Sequence, residues 1–211
     1  MTEAEARDPE ELPPEIREEV PTWDDEYFDR VSGRLMFSYD LERNYRVRGE
    51  SFDLYGEFRA RTQKQFFHPA LSYADHDRAE YLFARRAARP TVADLESLVS
   101  LGHALADDWI VPSEEHFGTE FTFVLVVDEL TDSVREFVEG FRERELLAYG
   151  YYGHYEINLV VVAPDTETVI ASTEADTAEA FALWRDVPPA DEGTILGRLR
   201  NAVAKRLDPG Q

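Results

Sequence analysis

The apolar positions change period several times along the chain, and each change predicts an element. Trp23, Tyr27, Val31 and Leu35 recur every four residues, which predicts a helix running to about Tyr39, with Thr22 as its N-cap and Asp25 three residues on. From Asp53 to Gln65 the pattern switches to alternation. Leu54, Gly56, Phe58 and Ala60 form the more apolar face, and Asp53, Glu57, Arg59 and Arg61 lie on the polar one. Tyr45, Val47 and Gly49 alternate in the same way just before it, so the two runs are expected to pair as a hairpin near Gly49–Ser51.

Asp75 to Ala88 is read as a helix stopped by Pro90, and Thr91 with Asp94 caps a second helix whose stripe of Leu95, Leu98, Val99 and Leu105 continues to Trp109. Phe121–Val127 and Ile157–Ala163 are continuous apolar runs, as buried strands require. Between them, Ser133 with Glu136 resembles a capping box. It opens a helix with Val134, Phe137, Val138 and Phe141 on its inner face, followed by a loop over Ala148–Tyr155. Thr168–Ser172 and short helices near Asp176–Trp184 and Glu192–Leu207 complete the pattern. Strands and helices are mixed without strict alternation. The expected fold is α+β, with a mixed or mostly antiparallel sheet of about five strands flanked by helices.

Composition adds a solvent. Against 44 Asp and Glu stand 22 basic residues, of which only Lys64 and Lys205 are lysines, giving a formal charge of -22. Such like charge pushes a compact state apart in dilute buffer, whereas at about 1 M salt the screening length falls to about 3 Å. The melting temperature is therefore expected to rise as KCl is raised to molar concentration, and melts that ignore KCl would contradict this reading. There is no cysteine, which removes disulfides and thiolate chemistry. Residues 1–21 are acidic and rich in proline, and are expected to be a disordered tail ahead of a single domain over 22–211. They lack the apolar stretch of a signal peptide, and no run is long enough to span a bilayer, so the expected location is the cytoplasm.

Two segments stand out as candidate chemistry. Between Arg43 and His68 lie Arg43, Arg46, Arg48, Arg59, Arg61 and Lys64 against only Glu50, Asp53 and Glu57. Arginine forks at Arg46, Arg48, Arg59 and Arg61 could hold phosphate or carboxylate groups, or simply pair with neighbouring acids across strands. The run from Tyr149 to Tyr155 sets tyrosines among Gly150 and Gly153, and Tyr151 and Tyr152 offer flat amphipathic surfaces to a ligand or partner. The histidines have no metal-ligand spacing, and there is no phosphate-binding glycine loop or nucleophile motif, so no cofactor or metal is implied.

Two resemblances follow. The helix, hairpin and later strand–helix unit over residues 23–163 resemble the restriction-endonuclease-like nucleases, which hold Mg²⁺ with an Asp at one strand end and Glu-x-Lys on the next strand. That resemblance implies Glu57 with Asp53 or Asp40 as the acids. Arg59 replaces the lysine and, staying protonated, could stabilise charge but not act as a base. Asp53 also departs from the family by lying on the same strand as Glu57. The run Phe52-Asp53-Leu54-Tyr55-Gly56-Glu57-Phe58, continuing to Phe66-Phe67-His68-Pro69, looks like one of the uncharacterised haloarchaeal protein families. The leading expectation is a non-enzymatic domain that binds an unknown protein or small ligand. Nucleic acid is disfavoured, because molar salt removes most of an electrostatic grip on phosphates.

Overall fold

The computed structural model describes residues 21–63, 75–173, 175 and 177–185. Helix α1 (Glu26–Leu35) precedes a meander of β1 (Asp40–Val47), β2 (Glu50–Gln63) and β3 (Asp75–Ala87). Then come α2 (Val92–Trp109), β4 (His116–Val127), α3 (Asp132–Gly140), β5 (Glu143–Leu146), β6 (His154–Ala163), β7 (Thr168–Ala171) and α4 (Ala178–Phe181). The seven-stranded mixed sheet has the order β1-β2-β3-β4-β6-β5, with β7 also paired to β6. β1, β2 and β3 run antiparallel to one another, whereas β3, β4 and β6 are parallel neighbours. β5 and β7 line the two halves of one edge of β6.

Parallel neighbours need crossovers, and α2 and α3 supply them on the same face of the sheet. Leu95, Leu98 and Leu105 of α2 and Val134 and Val138 of α3 pack there against Phe83, Phe121, Phe123, Leu159 and Val161. On the other face, Phe28, Val31 and Leu35 of α1 and Phe181 of α4 cover Leu82, Ala84, Val124, Val126, Val160 and Val162. Among the described residues no helix is long and apolar enough to cross a membrane.

The α+β expectation holds, with differences that have physical reasons. Asp75–Ala87, within the segment read as a helix, form a central strand. Tyr81, Leu82, Phe83 and Ala84 are all buried because both faces of β3 are covered, and a continuous apolar run does not distinguish strand from helix. This strand and the short β5 raise the count from about five to seven. Helix α1 stops at Leu35, and Asp25 rather than Thr22 caps it, accepting from the Tyr27 and Phe28 amides. Helix α3 is capped by Thr131, whose side chain accepts from the Val134 amide. The hairpin turns at Arg48-Gly49, both at left-handed φ (48° and 89°), as a type I′ turn requires. The helix expected over 192–207 lies outside the described residues, as do Lys64 and His68. Among the described residues β1 pairs only with β2; its outer edge carries Asp40, Glu42, Arg43 and Arg46 and bends at Asn44, where φ is 55°, features that discourage edge-to-edge pairing.

Candidate functional site

The residues singled out in the sequence are not gathered into one surface. Asp53 serves the fold: its carboxylate accepts from the Arg86 amide at 2.9 Å and its carbonyl from the Trp23 indole at 2.7 Å. Glu57 pairs with Arg59 and accepts from the Tyr55 hydroxyl at 3.0 Å. Asp53 and Glu57 are separated along one strand by about 13 Å. Asp40 is the register partner of Glu57 on β1 and is exposed. Arg46 is exposed on the edge strand, and Arg48 sits in the turn with its guanidinium 2.6 Å from Asp108, so the two do not form one strand-face pair. Arg61 lies in β2 opposite Asp77, and its side chain is outside the described set. Tyr151 and Tyr152 belong to the connection between β5 and β6, near the far edge of the sheet. Three strands separate β2 from β5, which is about 19 Å at the usual spacing.

Three assemblies instead occupy the end of the sheet where β4 and β6 begin. The first is a groove of about 450 Å³ between β2, β3, the start of β4 and the chain leaving α2. Its lining includes Arg59, Tyr81, Trp109, Val111, His116 and Thr119. Trp109 meets Tyr81 edge-on at 4.8 Å, and Arg59 donates to the Tyr81 hydroxyl at 3.4 Å. His116 closes one end. Its Nδ1 lies 2.7 Å from the Tyr152 carbonyl and its Nε2 2.9 Å from the Thr119 hydroxyl. A carbonyl only accepts, so Nδ1 carries a hydrogen.

The second assembly was not foreseen. Glu80, Glu120 and Glu156 stand in register on the adjacent strands β3, β4 and β6, with Arg144 of β5 next in the row. Glu80 is 5% exposed and Glu156 8%. Arg78 bridges two of them, with Nε 3.3 Å from Glu80 and Nη2 bonded to Glu120. The Tyr39 hydroxyl donates to Glu80 at 2.9 Å. The Glu156 carboxylate lies 3.2 Å from Arg144 Nη1 and 3.3 Å from His154 Nε2. Arg144 also donates to His154 Nδ1, which leaves the imidazole hydrogen on Nε2. Burial, and then the neighbouring Arg144, lower the pKa of His154 and favour its neutral form. Burial first and the Glu80 carboxylate second push Glu120 up to about 7, against the pull of Arg78. One signal could have found the row. Each strand places a glutamate ahead of two largely buried residues: Glu80-Tyr81-Leu82, Glu120-Phe121-Thr122 and Glu156-Ile157-Asn158.

The third assembly is the loop from Leu147 to Gly153. Ala148, Tyr149 and Gly150 take left-handed φ values of 46°, 59° and 88° in succession. Backbone bonds lock this shape, among them Leu147 N to Gly153 O at 3.0 Å and Tyr152 N to Leu147 O at 3.2 Å. Tyr149 is fully exposed and Tyr151 is 71% exposed, with Leu146 and Phe117 exposed nearby. Tyr152, the other tyrosine singled out in the sequence with Tyr151, is half-buried.

Residues 24–183 match one family model, a span that takes in every element from α1 to α4. The chain belongs to the family described as a domain of unknown function, DUF8052. No curated protein and no solved structure matches it. The family thus spans all three assemblies, and its description assigns none of them a role.

Proposed function

We propose that this chain is a non-enzymatic, salt-adapted, cytoplasmic domain of haloarchaeal type that docks a partner protein through the aromatic tip between β5 and β6. An acidic tail over 1–21 precedes the single domain in this reading. One observation carries the docking surface: an exposed tyrosine is held in left-handed backbone. For a residue other than glycine that conformation costs about 1–2 kcal/mol. The surrounding hydrogen bonds over-determine it, so Tyr149 and Tyr151 are presented in a fixed shape that loses little entropy on association. Leu146 and Phe117 extend the patch, and exposed Glu114, Glu115 and Glu145 flank it in sequence. Tyrosine faces with flanking carboxylates favour a partner segment that offers arginine among apolar side chains.

The nuclease alternative has less behind it. It needs carboxylates converging on one ion, and among the described residues no group of three His, Asp or Glu side chains could hold one.

Capture from a native extract in molar KCl tests the docking surface. A partner retained by the wild type is expected to fall at least about tenfold with a Tyr149→Ser/Tyr151→Ser double variant, a typical cost of removing two aromatic anchors. Equal retention by both proteins, at unchanged thermal stability, would remove the loop from the account.

A further inference from the structure

The groove beside Arg59 carries a second kind of recognition that does not depend on the loop. We infer that it is a binding site for a small organic monocarboxylate with a flat, apolar body. Its volume of about 450 Å³ lies within the range usual for small-ligand sites. Its two ends differ in chemistry. At one end, the Arg59 guanidinium uses Nε toward Glu57 and one Nη2 hydrogen toward the Tyr81 oxygen, leaving other hydrogens of its fork for an acceptor. The Tyr81 oxygen accepts from Arg59, so its own hydrogen remains to be donated beside that fork. Burial raises the Tyr81 pKa and keeps that hydrogen in place. Convergent donors of this kind fit the two oxygens of a carboxylate.

The rest of the groove is apolar or already satisfied. Trp109 lies edge-on to Tyr81, and Ile110 and the strongly exposed Val111 continue the wall. His116 and Thr119 spend their polar atoms on each other and on the Tyr152 carbonyl, and so close the groove. Ligand charge is bounded as well. Glu57 partly balances Arg59, and Asp77 also lines the groove. Arg78 lines the groove too, but its guanidinium is committed to Glu80 and Glu120, so Arg59 is the cation with hydrogens to spare; facing Glu57 and Asp77 as well, it suits a monoanion, which replaces or shares the Glu57 contact. A planar body packs on Trp109, which makes the site an aromatic or conjugated acid site rather than a phosphate site.

Calorimetric titration in molar KCl with indole-3-carboxylate, and with indole-3-carboxamide as its uncharged counterpart, tests this. The wild type is expected to bind the carboxylate at one saturable site and the amide at least about tenfold more weakly. Arg59→Gln is expected to weaken the carboxylate by a similar factor and to leave the amide unchanged, while Trp109→Leu weakens both. Arg89→Gln, paired with Glu129 elsewhere on the surface, is expected to titrate as wild type. The Tyr149→Ser/Tyr151→Ser protein is expected to keep the site, so failure of the docking loop and failure of the groove are separable. Absence of saturable carboxylate binding by the wild type, equal binding of the amide, or an Arg59→Gln protein that titrates as wild type would each overturn the proposal.

Discussion

Arg78→Met is expected to destabilise the fold by about 3 kcal/mol at pH 8 and by clearly less at pH 5. The cost arises because the change leaves Glu80 and Glu120 without the cation that bridges them, in a row where Glu80 and Glu156 are buried. The figure sits at the low end for a broken buried pair because the Arg78 side chain is 34% exposed. The pH dependence comes from Glu120, held up to about 7 in the fold against an ordinary value of 4.5. A carboxyl raised on folding binds its proton more tightly in the folded state. Its contribution is therefore fully present below pH 4.5 and is lost as pH rises through 7. A shift of this size corresponds to about 3 kcal/mol between those limits. His154 shifts the opposite way, so the comparison has to be a difference between proteins. Glu120→Gln keeps the shape, removes the titration, and is expected to be more stable than wild type at pH 8. Urea unfolding of both proteins in molar KCl from pH 5 to pH 8 reads this out. Parallel stability curves for the two would show that Glu120 does not hold the proton.

The second large effect is expected at Gly153. Its φ is 76°, and a Cβ built there collides with the Phe117 carbonyl oxygen and comes within 2.8 Å of the His116 carbonyl oxygen. Both obstacles are backbone at the start of β4, so no rotamer change relieves them. Gly153→Ala is expected to cost about 3 kcal/mol, combining left-handed strain with displacement of the loop. Gly33→Ala in α1 is the control. Nothing lies within 4 Å of its added methyl, and it is expected to stabilise slightly by raising helix propensity. Equal melting temperatures for Gly153→Ala and wild type would mean that the loop does not press against β4 as described.

Elements whose period reflects one buried face were legible. The α2 stripe and its Thr91–Asp94 capping box are present, as are the β2 hairpin and the runs that become β4 and β6. β3 was misread because the sheet buries both its faces, and strand order, which puts it in the centre, is a tertiary fact that no local period records. The candidate site divides in the same way. Tyrosines among glycines marked the loop, but which of them would face solvent depended on where Ala148 and Tyr149 turned left-handed. The glutamate row needed the register of three strands, and the groove needed Arg59 to meet Trp109 across 50 residues of chain. The Arg46, Arg48, Arg59 and Arg61 face expected from alternation was dispersed by the turn at Arg48-Gly49 and by local ion pairing at Arg48 and Arg59.

The central claim is that the tip between β5 and β6 is where this domain meets its partner. Site-specific photo-cross-linking in molar KCl tests it most directly, with the photoreactive side chain placed at position 149 or 151 and, for comparison, at the exposed but distant Phe37. The account predicts one discrete adduct from positions 149 and 151 and none from position 37. Equal adducts at all three positions, or an adduct from position 37 alone, would contradict it.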